Sequence, residues 1–209
     1  MTDRSPDPIT RPLPAELATL LPPALHCVGQ GLPYLRGERL FTTGEGPAWM
    51  FFVLGGEVVL QRPGLNGEVV VLQRTRHGFV GEASLQSAAY HCDGLVTAPA
   101  RVVRYPMAAL REALATAPAF AGRWIAMLNR ELRRLRLQCE RLALTRVQDR
   151  VLHLLETEGV DGRLAVPAGL KSLAGELGVS HEALYRAVAA LEKTGRLVRD
   201  GGALRRVGR

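Results

Sequence analysis

Six residues spaced 3, 4, 3, 4 and 3 apart, Ile125, Leu128, Leu132, Leu135, Cys139 and Leu142, restrict this 209-residue chain more than any other feature. Only a helix repeats on that interval, so residues 118 to 144 are predicted as one long amphipathic helix whose apolar seam runs for about two and a half heptads. Arg130, Arg133, Arg134, Arg136 and Arg141 lie between the seam positions and give the helix a charged outer face. The seam has two readings. It either lies on its own domain or forms a dimer interface with the same seam of a second, parallel copy.

The long helix divides two regions of different character. Residues 1–23 carry six prolines, which suggests an N-terminal arm whose first dozen residues are unpacked. The stretch from about Leu32 to Val103 reads as short strands punctuated by Gly37, Gly44, Gly46, Gly55, Gly56, Gly67, Gly78 and Gly81. That pattern fits a β-sandwich or roll, with Leu65-Asn66-Gly67 at a hairpin tip. Beyond the helix, Thr145 and Gln148 make a T-x-x-Q capping box for a helix over VQDRVLHLLETE, and GVDGRLAVPAG reads as a turn region.

The segment 170–207 has the pattern of a helix-turn-helix followed by a hairpin. Leu173, Leu177, Val179, Leu184 and Ala187 supply the shared core, Ala174 permits close approach, and Gly178 takes the turn. Ser180 is an N-cap for the second helix, which presents His181, Glu182, Tyr185, Arg186 and Ala189 on one face at one-turn spacing. Singly, Glu182 reads as an acid favoured at a helix start and Arg186 as a solvated cation. Together they form a readout pair, since Arg bonds guanine bidentately and Glu accepts from a cytosine amino group in a major groove. Asp200-Gly201-Gly202 turns a small wing on which Arg199, Arg205 and Arg206 offer charge to phosphates.

Bulk properties agree. The 27 basic residues outnumber the 20 acidic ones, a formal charge of +7 that favours a polyanionic partner. Nearly all are Arg, so part of the excess is compositional bias, but seven basic and three acidic residues from Ser180 onward concentrate it at the C-terminus. No apolar run reaches the ~20 residues of a membrane span, and MTDRSPDPITRPLP lacks a signal-peptide core. A cytoplasmic location without membrane contact is expected. Cys27, Cys92 and Cys139 are too few and too scattered for a disulfide framework or a four-cysteine cluster.

With these motifs in order, the chain over about residues 30 to 207 resembles the Crp/Fnr family of bacterial transcription regulators. RGERLFTTGEG, FFVLGGEVVL, the Asn66-Gly67 hairpin and FVGEASL carry the likeness in the first region, and LAGELGVSHEALYRAVAALEKTGRL carries it in the last. The resemblance implies an α+β chain. It comprises a cyclic-nucleotide-binding-like β-roll of jelly-roll or double-stranded β-helix type at 24–117, a dimerisation helix at 118–144 and a winged helix-turn-helix at 145–209. It implies double-stranded DNA and a second copy of the chain as partners, with RNA polymerase a further one. The family's Ser-Arg-Glu-x-x-x-Arg pattern falls on Ser180, His181, Glu182 and Arg186, His181 replacing the usual Arg. By similarity, Glu182 and Arg186 read a core related to TGA.

Cyclic-AMP-responsive members of the family bind the ribose with a Gly-Glu pair and the cyclic phosphate with Arg-Ser some ten residues later. Gly81 and Glu82 match the first pair, but the Arg-Ser positions hold Cys92 and Asp93, and Leu135, Arg136, Leu137 and Gln138 stand where polar adenine contacts would be. An acid replaces a cation where a phosphate would sit, so cyclic AMP is not expected as effector. No cofactor is assigned. His91, Cys92 and Asp93, with His26-Cys27, invite a metal or redox reading, yet neighbouring residues point apart, which favours a packed Cys92 and an outward His91. Nothing orients Cys27 or Cys92 against a His as a catalytic pair. The alternative to a DNA-binding regulator is a ligand- or redox-sensing module that signals through protein contacts.

Overall fold

In a computed structural model, the described residues are 7–8 (backbone), 13–66, 68–166 and 169–207. They divide within the long helix into two compact units, 1–126 and 127–209. The strands and helices of the first unit are β1 (Asp7–Pro8), α1 (Ala15–Leu20), α2 (Pro23–His26), β2 (Gln30–Tyr34), β3 (Arg39–Phe41), β4 (Trp49–Pro63), β5 (Val69–Thr75), β6 (Gly78–Val80), β7 (Asp93–Pro106) and α3 (Met107–Thr116). Helix α4 (Pro118–Ala143) starts here and ends in the second unit.

The first unit is a seven-stranded antiparallel roll built on two long strands, in the order β1-β2-β7-β4-β5. Strand β4 pairs with β7 from Trp49↔Pro106 to Gln61↔Asp93, with register shifts on both sides of Gly55 and Glu57. Each long strand then serves different neighbours along its length. One half of β7 pairs with β2 and the other with β3, while β4 takes β6 at Phe51–Val53 and β5 at Val58–Pro63. The expectation of short strands is therefore corrected: Gly55-Gly56 marks a bulge inside one strand of 15 residues.

WMFFV is apolar throughout because both faces of β4 are covered. Phe51 and Val53 join Phe41, Val58, Leu60, Val80, Tyr90, Cys92, Val96 and Val102 inside the roll. Met50 and Phe52 are buried too, and a chain of ring contacts runs from Phe52 to Phe79, from Phe79 to Trp124 and on to Phe120 at the start of α4. Most of the first dozen residues, expected as an unpacked arm, lie outside the described residues, and the prolines after them start helices. Pro14 and Pro22 cap short helices, Pro23 opens α2, and Leu17 and Leu21 are fully buried. Asp7–Pro8 pairs with β2, and Gly67 of the expected hairpin tip lies outside the described residues.

The second unit adds α5 (Val147–Glu158), β8 (Arg163–Ala165), α6 (Gly169–Glu176), α7 (His181–Lys193), β9 (Leu197–Asp200) and β10 (Ala203–Arg206). Leu173, Ala174, Leu177, Leu184, Val188 and Leu191 pack with Val151, Leu154 and Leu155 of α5 and with Leu197 and Leu204 of the wing. Both wing-turn glycines have positive φ, 51° and 80°, as a two-residue hairpin turn requires. Three expectations change here. GVDGRLAVPAG is not only a turn region, because Arg163–Ala165 pairs with β10 as a third strand. The Thr145–Gln148 box is absent: Arg146 is the N-cap of α5 and no side chain caps it, the turn before it being held by Arg150 on the Leu144 carbonyl. Arg141 is not on the outer face. It is 3% exposed, donating to Thr157 Oγ1 at 3.2 Å and paired with Glu158.

Among the described residues no helix is long and apolar enough to cross a membrane. Gly56 tests the bend in β4. Its φ is +91° and a Cβ would lie 2.2 Å from the Pro99 carbonyl oxygen, while Gly46 has open space. Gly56→Ala is expected to lower unfolding free energy by about 2–4 kcal/mol and Gly46→Ala to leave it within about 0.5 kcal/mol, read by denaturant unfolding.

Candidate nucleic-acid interface and effector region

The face of α7 predicted for readout is exposed at His181, Glu182, Tyr185, Arg186 and Ala189, while Leu184, Ala187, Val188 and Leu191 turn inward. Two local devices orient it. Gly178 takes a φ of +63° in the turn, and Ser180 Oγ accepts the Ala183 amide at 3.2 Å. The Glu182 carboxyl is held below the ordinary range by its own backbone amide and the Ser180 hydroxyl, then by His181 and Arg186. It stays ionised, as an acceptor must. The His181 ring stands edge-on to Tyr185 with centroids 4.3 Å apart.

The wing cations are not equivalent. Arg199 pairs with Glu192 of α7 at 2.9 Å and lies over the Tyr185 ring, so it braces β9 against α7. Arg206 is 3.5 Å from Glu156. Arg205 is exposed and forms no ion pair among the described residues, while Arg186 is exposed with the Glu182 carboxylate one turn away. Of the three wing arginines, Arg205 is thus the most available to a polyanion. The seam residues of α4 are also open to solvent, Ile125 being 57%, Leu128 36%, Leu132 47%, Leu135 41% and Leu142 40% exposed, with Cys139 exposed as well.

In the effector region Gly81 has a φ of +90° and starts a single 3₁₀ turn at Glu82–Ser84. Behind it the space is filled. Phe41 and Tyr90 stack with centroids 4.1 Å apart, and a Cβ on Gly81 would touch both rings at 3.6–3.7 Å. The Tyr90 hydroxyl donates to the Trp49 carbonyl at 2.5 Å. The run Tyr90-His91-Cys92-Asp93-Gly94 alternates in and out: Tyr90, Cys92 and Gly94 are buried, and His91 is exposed. Burial first, then the nearby Asp93 and Glu82 charges, push the Cys92 thiol up, so it is an apolar core residue.

Asp93 sits differently from the expectation of an acid set against a ligand phosphate. Its Oδ1 accepts both the Thr43 amide and the Thr43 hydroxyl at 2.8 Å, and Oδ2 is 3.6 Å from Arg39. The Thr43 amide foremost, with the hydroxyl and Arg39, holds its carboxyl below the usual aspartate range. Asp93 thus ties β7 to the loop after β3. Among the described residues no group of three or more His, Cys, Asp or Glu side chains gathers to hold a metal. Sequence reasoning missed Thr43, whose partner is fifty residues away, and Arg150, whose place on an amphipathic helix marked it only as a polar position.

A model of the cyclic nucleotide-binding domain family matches residues 32–117. Among solved structures, a putative cAMP-binding regulatory protein from Silicibacter pomeroyi DSS-3 is 27% identical, with 90% of this chain and 88% of that one covered and a TM-score of 0.59. Residues 32–117 are a cyclic nucleotide-binding domain, on a chain with the Crp/Fnr fold. FixK2 from Bradyrhizobium japonicum shares that fold at 21% identity, covering 87% and 94% of the two chains at a TM-score of 0.66. So does the c-di-GMP-responsive global regulator CLP of Xanthomonas campestris, at 22% identity, 87% and 95% coverage and a TM-score of 0.57. No curated protein matches the chain significantly in sequence.

The Crp/Fnr fold brings residues 43 and 93 together, and their link can be tested by pH. A carboxyl depressed in the folded state adds stability above its unfolded value and loses it as pH falls through the folded one. Asp93→Ala is expected to be less stable than wild type at neutral pH, the gap closing as pH drops below about 4. Thermal unfolding across pH 2–7 measures it.

Proposed function

We propose that the chain is a transcription regulator that binds palindromic operators in double-stranded DNA as a parallel homodimer, and that cyclic AMP is not its switch. The observation that carries the reading is the α7 face. Glu182 is held ionised and Arg186 is exposed, one turn apart on a helix with a capped start and a basic wing beside it. That arrangement suits base readout by α7 and phosphate contact by Arg205. The formal charge of +7 favours the same partner.

The homodimer rests on the α4 seam. Five large apolar side chains at heptad spacing are 36–57% exposed on one copy, so burying what remains open gains about 0.5–1.5 kcal/mol for each. A second copy of the same helix offers a matching seam and places two recognition helices across a two-fold axis. Against cyclic AMP stand the Phe41–Tyr90 stack behind Gly81, the neutral Cys92 and the commitment of Asp93 to Thr43. The region offers no charge-assisted donor pair where the family's Arg-Ser would be. The ligand named for the Silicibacter protein is therefore not carried over to this chain.

Two experiments test this. Arg186→Ala is expected to lose about 1–3 kcal/mol of operator affinity and to relax preference at one position of each half-site, in selection from random duplexes. Arg205→Ala should weaken every sequence alike and flatten the salt dependence by about one unit of slope. Unchanged preference in Arg186→Ala removes its readout role, and a wild type that shifts no duplex favours signalling through protein contacts. For the seam, Leu135→Glu sets two carboxylates against each other and is expected to dissociate the dimer, at a cost of several kcal/mol. Sedimentation at micromolar concentration reads this, and a monomeric wild type refutes the dimer.

A further inference from the structure

Arg150 touches neither the exposed face of α7 nor the wing, yet it joins the end of the seam helix to the turn that launches the recognition helix. Its Nε donates to the Leu144 carbonyl at 2.8 Å, Nη2 to the Leu142 carbonyl at 3.1 Å and Nη1 to the Leu177 carbonyl at 2.9 Å. Leu142 lies in the last turn of α4, Leu144 directly follows its last residue, and Leu177 directly follows the last residue of α6. The last carbonyls of a helix have no partner within it and favour a cation. One guanidinium therefore caps two helices at once, using a rigid fork of donors that a single ammonium cannot reproduce.

The chain beyond Leu177 has little slack. Only Gly178, Val179 and Ser180 precede α7, the Val179 amide bonds the Ala174 carbonyl at 3.0 Å, and Ser180 is the N-cap. Leu142 supports the contact from the other side, its Cδ2 lying 3.1 Å from where a Cβ on Gly178 would be. We infer that Arg150 is a positioning residue that fixes the direction of the recognition helix relative to the seam helix, and so sets the half-site spacing the dimer accepts. This rests on the dimeric, DNA-binding reading above. If the seam fixes the two-fold axis and the Arg150 bracket fixes α7 against the seam, the two recognition helices are held at one separation. A single inserted base pair displaces a half-site by about 3.4 Å and turns it by about 35°.

The test uses a palindrome selected from random duplexes by the full-length wild type, then varied in half-site spacing by −1, +1 and +2 base pairs. The wild type is expected to lose about tenfold or more for each change. Arg150→Gln should bind the parent operator more weakly, show a spacing penalty of less than about threefold, and keep its base preference within a half-site and its non-specific duplex binding. Simple loss of folded protein would lower all of these by one factor. Arg150→Lys should resemble Arg150→Gln, because charge without the fork does not span three carbonyls. If circular dichroism shows Arg150→Gln unfolded, the Lys variant alone decides. A spacing profile in either folded variant equal to that of wild type overturns the inference, as does full rescue by Lys. A wild type that selects no palindrome overturns the function proposed above and the bracket's role with it.

Discussion

The close approach of two backbones at Gly56 is the constraint on which the first unit rests. With no side chain there, the Pro99 carbonyl and Ala100 come up against β4 at a point where any Cβ would collide with them. The bulge that results lets β4 and β7 continue through the bend as paired strands, so one ladder supports neighbours on two differently directed halves. The residues around the effector region are held by that ladder. Cys92 and Gly94 are positioned by the β7 end of it, and the Phe41 ring packs where a Cβ on Gly94 would stand.

The second unit is organised by charge at helix ends rather than by a backbone bend. Arg141 reaches Thr157 and Glu158 at the end of α5, and Arg150 reaches the ends of α4 and α6. The Arg141 guanidinium is withdrawn from the solvated face that its sequence position suggests, while Arg150 is half-buried. Burying a guanidinium is costly unless its donors are used, and breaking a buried pair costs more than forming it gains. Such groups therefore serve geometry better than net stability.

Much of this was legible in the sequence where the signal is local. The heptad seam gave the helix from Pro118 almost to its last residue, and the spacing of Leu173, Leu177, Leu184 and Ala187 gave the helix-turn-helix core because four buried positions must satisfy one helical period. The exposed face of α7 came from the same period. The features that could not be read depend on partners distant in sequence. Asp93 looked like a ligand-facing acid because Thr43 is invisible from its neighbours, and Arg141 looked solvated because nothing local marks the hydroxyl and acid that receive it. The third wing strand was missed because three residues beside glycines carry too little pattern to separate a strand from a turn.

The topology of the roll also has a consequence in time. Among the described residues β3 pairs with β7 alone, and β2 pairs with β7 and the two-residue β1, yet β7 ends at Pro106, 76 residues after β2 begins. At a synthesis rate of ~5–20 residues per second, the first strands wait roughly 3–15 s on the ribosome before their partner exists. In the winged unit the β9–β10 hairpin closes over a two-residue turn, and such local pairing forms faster. The sensor-like unit is made first, but its pairing is the slower to complete, and the valines and phenylalanines of β4 are the residues most in need of shelter while it does.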